Sequence, residues 1–314
     1  MKMKKIIFTV LIIGSMSSFA QQDTQYNLYQ FNQLSINPAY AGARDAIAAV
    51  IDVRKQWIGF GDGAPTTAVL AVHTPLLNNK LGVGINVISD QIGAKSVTAF
   101  YANFAYIAKL SNTFKLSFGA RAGYSSYKFD FSKLSYKDGN EAALTDLANS
   151  NRGALDVDAG IYLKSSTFYV GFSATHLNSA ILYEKKIQPA GSLNDYSLSF
   201  VLQPHFFLTV GKSFVISENF LISPSVMIKS ISGYATADFN LNFFLKKRIW
   251  VGAFLRNDYG LGALFQVLLT KQFKLGYSFD SGFGGTRIFG SSHEIMLGFD
   301  FGTSKAKAVS PRFL

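Results

Sequence analysis

The sequence contains no cysteine, and only 16% of its 314 residues are charged. The absence of cysteine excludes a disulfide-stapled domain, a thiolate metal site and a cysteine nucleophile. The charged fraction is below the roughly 25% that is usual for soluble domains, so we expect much of the surface to avoid water. The chain also lacks a long apolar run after its first twenty residues. If it spans a membrane, it does so without helices.

Aromatic residues are abundant, with 29 Phe and 15 Tyr in the chain. This much apolar area excludes a disordered chain, which stays solvated only when it has little to bury. The formal net charge is +11, but the basic residues are scattered singly and form no stripe. We therefore expect no nucleic-acid partner.

The first twenty residues have the features of a secretory signal peptide. Lys2, Lys4 and Lys5 are followed by an apolar run over residues 6–13, which is too short to span a bilayer, and by small residues that end at Ala20. We expect cleavage after Ala20, with an N-terminal membrane anchor as the alternative. The signal peptide predicts an exported protein.

From residue 46 onward the dominant pattern is alternation of apolar and polar residues, which is typical of strands with two different faces. In one run, Leu155, Val157, Ala159, Ile161 and Leu163 alternate with Asp156, Asp158, Gly160, Tyr162 and Lys164. We count about fourteen such strands. They are expected to begin near Ala46, Thr66, Leu81, Ser96, Phe114, Ala154, Thr167, Ser197, Asn219, Tyr234, Arg248, Leu261, Phe273 and Ser292.

The predicted connections alternate between long and short, which is typical of outer-membrane barrels. Long connections, including 90–95, 132–153 and 176–196, follow odd-numbered strands, and mostly tight turns, including 213–218, follow even-numbered ones. The sequence therefore predicts an all-β fold, a transmembrane antiparallel β-barrel in the lipid of the outer membrane with both termini periplasmic. The barrel should cover residues 46–302, after a periplasmic lead-in at 21–45 and before a basic tail at 303–314. A soluble β-sandwich is the alternative.

Several motifs resemble those of the PorP/SprF family, outer-membrane proteins of the type IX secretion and gliding-motility apparatus of Bacteroidetes. They are Gln30-Phe31-Asn32, Ile36-Asn37-Pro38-Ala39-Tyr40-Ala41-Gly42, Arg54-Lys55-Gln56-Trp57, Pro65-Thr66-Thr67, Leu81-Gly82-Val83-Gly84, Asp90-Gln91-Ile92-Gly93 and Ser292-His293-Glu294-Ile295. The resemblance implies a barrel that supports type IX export. It also implies association with periplasmic components of the machinery or with the C-terminal domain of a large secreted surface adhesin.

Six residues are candidates for partner binding: Asn37, Pro38, Tyr40, Gly42, Arg54 and Trp57. Asn37-Pro38 favours a turn, because proline fixes φ and keeps the preceding residue extended. The lead-in either packs against the periplasmic mouth of the barrel or enters the lumen as a plug or partner surface, with Tyr40 as its anchor. Trp57 is either an interfacial anchor or a partner contact at the rim.

Charged residues on the polar strand faces should point into the lumen and pair across strands, because an unpaired charge in a narrow lumen is costly. These residues are Asp52, Arg54, Asp156, Asp158, Asp238, Arg256 and Asp280. A selectivity filter is the alternative role for them.

The sequence offers no catalytic, cofactor or metal motif. His73, His176, His205 and His293 are far apart and have no metal-binding spacing. Ser292, His293 and Glu294 are adjacent, but neighbouring strand residues point to opposite faces, so a serine–histidine pair cannot form there. The leading hypothesis is a non-enzymatic secretion accessory. A porin-like or hydrophobic-solute channel and a barrel enzyme are the alternatives.

Overall fold

The computed structural model describes residues 24–44, 46–130, 151–187, 196–257 and 259–301. These residues contain seventeen β-strands, and no helix among them is long and apolar enough to cross a membrane. The strands are β1 (Ile47–Lys55), β2 (Thr66–Leu76), β3 (Leu81–Ile92), β4 (Lys95–Lys109), β5 (Lys115–Phe129), β6 (Asn151–Lys164), β7 (Phe168–Thr175), β8 (Ile181–Ile187), β9 (Tyr196–Val201), β10 (His205–Lys212), β11 (Phe214–Ser217), β12 (Phe220–Ile231), β13 (Tyr234–Leu245), β14 (Ile249–Arg256), β15 (Gly260–Leu268), β16 (Phe273–Gly282) and β17 (Ser291–Phe301).

Fourteen of these strands close into an antiparallel barrel. The last strand returns to the first, since Ile47 pairs with Phe301 and Lys55 with His293. Elsewhere β7 pairs with β10, and β10 pairs with β12. Strand β11 extends β10 along β12, while β8 and β9 form a separate hairpin. Each of the fourteen barrel strands therefore pairs with two neighbouring strands.

The two faces of the barrel wall are inverted relative to a soluble protein. Phe100, Phe104 and Leu155 are 58%, 61% and 71% exposed on the outside. Asn103 and Asp156, their neighbours on the same strands, are buried in the interior. An apolar exterior around a polar lumen is what a membrane-spanning barrel requires, and it follows from the period-two alternation.

The barrel has two distinct ends. Connections 77–80, 110–114, 165–167, 218–219, 246–248 and 269–272 join the strands at one end, which we call the short-turn end. The opposite, long-loop end carries connections 56–65, 93–94, 130–150, 176–204, 232–233, 257–259 and 283–290. Residues 131–150, 188–195 and 258 of that set lie outside the described residues, as do the predicted signal peptide and the predicted basic tail.

Thirteen of the fourteen expected strands begin within three residues of the start of a barrel strand in the structure. The strand expected at Ser197 is the exception, because Tyr196–Val201 pairs only with β8 and the barrel strand begins at His205. Periodicity marks both segments as strands but does not give their partners. Two expected loops are also wrong, since 90–95 is a tight turn at 93–94 and most of 213–218 forms β11.

Candidate functional site: a plug segment in the barrel lumen

Residues 24–44, which we call the plug segment, lie inside the barrel. The segment forms three short 3-10 turns at Tyr29–Phe31, Gln33–Ser35 and Pro38–Tyr40, and nearly all of its side chains are buried. Its polar groups bond to inward-facing residues of strands on different sides of the barrel. Of the two placements that the sequence left open, the structure has the segment in the lumen.

The plug segment runs along the lumen from one end of the barrel to the other. At the long-loop end, Arg256 Nη1 donates to Gln25 Oε1 over 2.7 Å. At the short-turn end, Arg44 Nη1 lies 3.0 Å from Asp300 Oδ1. Residues 24 and 301, the ends of the described chain, therefore lie at opposite ends of the barrel. The plug segment thus traverses the lumen before β1 begins, and the periplasmic location expected for both termini stays a prediction. Which end faces the periplasm stays a prediction.

The Asn37-Pro38 pair starts the last 3-10 turn. Asn37 Oδ1 accepts the backbone N–H of Ala39 over 2.9 Å, and Pro38 stands at the first position of the turn, where it needs no donor. Asn37 Nδ2 also donates to the carbonyl oxygen of Ile161 on β6, over 3.1 Å. One side chain therefore caps the turn and fastens it to the barrel wall.

A row of small residues crosses four neighbouring strands at the height of this turn. Gly82 pairs with Ala105, Ala105 with Gly119, and Gly119 with Gly160. We call these four residues the small-residue row. A Cβ atom at Gly82 would lie 2.0 Å from the Ala41 carbonyl oxygen, and one at Gly119 would lie 2.2 Å from the Ala39 nitrogen. The missing side chains leave the groove in which residues 37–42 lie.

Gly42 meets this row backbone to backbone. Its φ of +70° lies in the left-handed region, and a Cβ there would approach the Gly82 Cα to 2.6 Å. Both facts favour glycine at this position. The segment Ile36–Gly42, one of the motifs that carry the family resemblance, thus fits closely against the wall.

Tyr40 is held by aromatic contacts on two sides. Its ring packs edge-on against His73 at a centroid distance of 5.4 Å and against Tyr162 at 5.3 Å. His73 Nδ1 also accepts the backbone N–H of Gly42 over 3.1 Å. Tyr40 therefore anchors the plug segment against the inner face of the wall.

Buried carboxylates hold the other end of the plug. Glu294 accepts the backbone N–H groups of Asn27 and Leu28, each over 2.8 Å. Arg54 Nη1 lies 2.9 Å from Asp280 Oδ2 and 3.1 Å from Glu294 Oε2. Asp52 is buried on the same face of β1, and its Oδ1 has no hydrogen-bond partner within the part of the chain that the structure describes.

Further hydrogen bonds tie the plug to the wall between these ends. Arg121 donates to the carbonyl oxygen of Ser35 over 3.2 Å, and Ser173 to that of Ile36 over 2.6 Å. From the opposite wall, Asn240 donates to the hydroxyl of Tyr29 over 2.7 Å. The segment is fixed from both sides of the lumen.

A second polar cluster lies in the lumen around Asp156 and Asp158 of β6. His176 Nδ1 lies 2.6 Å from Asp156 Oδ2, and Arg121 forms an ion pair with Asp158. The ligand atoms of the two aspartates and His176 lie within 4.8 Å of one another, a geometry that suits a metal ion. Arg121 already neutralises one of the carboxylates, so the cluster reads better as an ion-pair network. Sequence analysis does not predict this cluster, because His176 follows β7 whereas both aspartates lie on β6. The two aspartates on one face of β6 are the only sign of it in the sequence pattern.

The predicted pairing of lumen charges is found for most of the residues concerned. Arg256 Nη2 lies 2.6 Å from Asp238 Oδ2, in addition to the Arg54, Asp158 and Asp156 pairs described above. Arg54 is therefore buried in an ion cluster. Arg54 lies in the lumen near Asn27 and Leu28, whereas Asn37, Pro38, Tyr40 and Gly42 lie at the other end of the plug segment. Partner binding by these residues stays a prediction.

Trp57 lies apart from them, in the connection after β1 at the long-loop end. Its ring packs 5.2 Å from Phe289 and 6.2 Å from Tyr259, between two other connections. Its role as an interfacial anchor or a partner contact stays a prediction.

The run Ser292-His293-Glu294 has the alternating orientation expected of a strand. Ser292 and Glu294 are buried in the lumen, whereas the His293 Nδ1 lies 2.7 Å from the hydroxyl of Tyr277 on the outer face. The serine and histidine therefore point in opposite directions.

A closed barrel with an apolar exterior, a polar lumen and an internal plug defines the class of outer-membrane β-barrels. Residues 18–299 match the family described as type IX secretion system membrane protein PorP/SprF. The chain belongs to this family, and it is an outer-membrane protein. No curated protein sequence matches it.

Solved structures with the same architecture share little sequence with the chain. The toluene transporter TbuX of Ralstonia pickettii has 10% identity and a TM-score of 0.52, over 86% of this chain and 93% of TbuX. The monoaromatic hydrocarbon channel CymD has 10% identity and a TM-score of 0.51, over 90% and 94%. The toluene transporter TodX of Pseudomonas putida has 10% identity and a TM-score of 0.50, over 91% and 96%. These likenesses show the fold alone.

Proposed function

We propose that the protein is a non-enzymatic accessory of the type IX secretion and gliding machinery that supports export or surface anchoring of a large adhesin-like protein. The observation that carries the proposal is a lumen occupied by the protein's own plug segment, in a chain of the PorP/SprF family. A plug tied to both sides of the lumen favours a scaffold over a diffusion pore.

In this proposal the two ends of the barrel have different partners. The short-turn end faces the periplasm, as short turns do in outer-membrane barrels. There it contacts components of the secretion machinery. The long-loop end, with the β8–β9 hairpin, contacts the C-terminal domain of the secreted protein.

The second candidate is a channel for hydrophobic or small solutes. The fold likeness to TbuX, CymD and TodX favours it, since those proteins are described as carrying toluene or monoaromatic hydrocarbons. The lumen counts against it. An apolar solute would have to pass the buried amide groups of Asn240 and Asn242 and the carboxylate of Glu294, and desolvating such groups without compensation is costly.

A deletion strain separates the two candidates. We expect it to lose display of a large surface protein while toluene uptake stays unchanged, and the wild-type gene should restore display. Loss of toluene uptake with normal display would overturn the proposal and support the channel.

A matched variant links the phenotype to the plug. Deletion of residues 24–36 removes most of the plug segment and leaves all the barrel strands, while deletion of 305–314 removes a similar length of chain at the other terminus. We expect only the first deletion to impair display. Membrane insertion of both is checked by the heat-dependent mobility shift that folded barrels show in detergent gels.

A further inference from the structure

The short-turn end is strongly basic. Five of its six connections, or a residue beside them, carry exposed or half-exposed cations, and Lys212 ends β10 at the same end. The cations at the five connections are Lys80, Lys109, Lys115, Lys164, Lys246, Lys247, Arg248 and Lys271. Among the described residues at this end, Glu218 is the one exposed carboxylate, and it lies 3.5 Å from Lys247. Asp300 is enclosed by Arg44 and Lys274. The described residues that face outward at this end therefore carry a net positive charge.

The long-loop end has a mixed charge. Its cations, which include Lys55, Lys128 and Arg287, are interspersed with Asp62, Asp90 and Asp130 in the described residues. Among the described residues, basic side chains are therefore not spread evenly between the two ends of the barrel. A surface whose charges are mostly of one sign creates an electrostatic field that attracts partners of the opposite charge.

Four of the lysines surround a cavity among three neighbouring turns. The cavity has a volume of about 610 Å³, and Lys80, Lys109, Lys115 and Lys164 line it. Its wall also carries the hydroxyl and amide side chains of the turns, among them Asn78, Asn79, Ser111, Thr113, Ser165 and Ser166, together with Tyr106, Ile107 and Ala108 of β4. Ammonium groups beside neutral donors are suited to binding carboxylates.

We propose that the short-turn end docks an acidic protein surface and that this cavity receives carboxylate side chains of that partner. The inference rests on the proposed function, because it assigns a chemistry to the machinery component on that side. A protein is favoured over anionic lipid headgroups because the cavity is lined by hydroxyl and amide groups of the turn tips, and lipid chains pack against the apolar strand surface.

The test uses the full-length protein in nanodiscs of zwitterionic phosphatidylcholine, with a fluorescent poly-glutamate peptide as the probe. Lys80→Glu, Lys109→Glu and Lys115→Glu are combined in one variant. The control combines Lys55→Glu, Lys128→Glu and Arg287→Glu, which changes the net charge equally at the long-loop end. We expect the first variant to bind the peptide about tenfold more weakly and the control to bind like wild type. Equal loss in both variants would overturn the proposal.

Lipid is tested in parallel by adding phosphatidylglycerol to the nanodiscs. Selective retention of this lipid by the wild-type protein, lost in the first variant and accompanied by no peptide binding, would also overturn the proposal.

Expression of the first variant in the deletion strain then separates this inference from the proposed function. Impaired display with a correctly folded barrel supports docking through the basic end. Normal display would show that the inference is wrong while the secretion role stands. Loss of the secretion role itself would appear as normal display in the strain that lacks the gene.

Discussion

Gly160 of β6 lies directly against Asn37 of the plug segment, so that a Cβ atom at Gly160 would come within 2.2 Å of Asn37 Oδ1. The two residues are far apart in sequence but depend on each other. Asn37 caps the turn that Pro38 begins, and the turn can approach the wall only where the wall has no side chain. The plug and the small-residue row therefore form one fitted interface.

Filling this row should displace the plug. Gly119→Val places side-chain atoms where the backbone of Ala39 lies, since even a Cβ would be 2.2 Å from the Ala39 nitrogen. Overpacking of this kind costs about 1–3 kcal/mol, and we expect the segment to move rather than the continuous β-ladder. The measurement is limited proteolysis of the folded barrel, in which the variant should be cleaved within residues 24–44.

Gly298→Ala is the matched control, because a Cβ at Gly298 meets its nearest neighbour at an ordinary 3.4 Å. This variant should resist cleavage as wild type does. Protection of both variants would contradict a close fit between the plug and the wall.

Replacing Arg54 should destabilise the whole barrel. Arg54→Gln leaves Asp280 and Glu294 buried without their cation, and breaking a buried ion pair costs about 3–5 kcal/mol. We expect a clear fall in the temperature at which the heat-dependent gel shift occurs. Lys247→Gln breaks the exposed pair with Glu218 and should leave that temperature unchanged.

The same variant also tests whether Arg54 binds a partner, as the sequence predicts. If Arg54 contacts a partner directly, the Arg54→Gln variant loses display of the surface protein but keeps its thermal stability. If display falls in proportion to thermal stability, Arg54 acts by stabilising the lumen.

Removing Arg121 should convert the Asp156–Asp158–His176 cluster into a metal site. In the wild-type protein Arg121 pairs with Asp158, so we expect no zinc to remain after dialysis against micromolar Zn²⁺. Arg121→Gln frees that carboxylate and leaves three ligands whose atoms lie within 4.8 Å of one another. Elemental analysis should then find zinc in the variant.

Arg256→Gln breaks another buried pair, with Asp238, and serves as the control. It should bind no zinc. Zinc retained by the wild-type protein would show that Arg121 does not block the cluster.

Most of the fold was predictable because the barrel is built from local alternation. The run from Leu155 to Lys164 gives β6 its buried and exposed faces, and each face follows from residue order alone. Pairing is not local. Tyr196–Val201 and His205–Lys212 both alternate, and only the register with β7 and β12 decides which of them enters the barrel.

The candidate site was less predictable. The turn at Asn37-Pro38 follows from proline geometry, but the place of the plug depends on distant partners such as Glu294, Arg121 and Ser173. A polar segment suits either the wet mouth of a barrel or a lumen that offers it hydrogen bonds. Sequence shows the donors and acceptors but does not show which of them meet.

Single-channel conductance in planar bilayers tests the central claim most directly, which is that the protein's own plug segment closes the barrel. We predict no steady conductance for the wild-type protein and a stable open channel after deletion of residues 24–36. A steady open channel in the wild-type protein, unchanged by the deletion, would contradict the account.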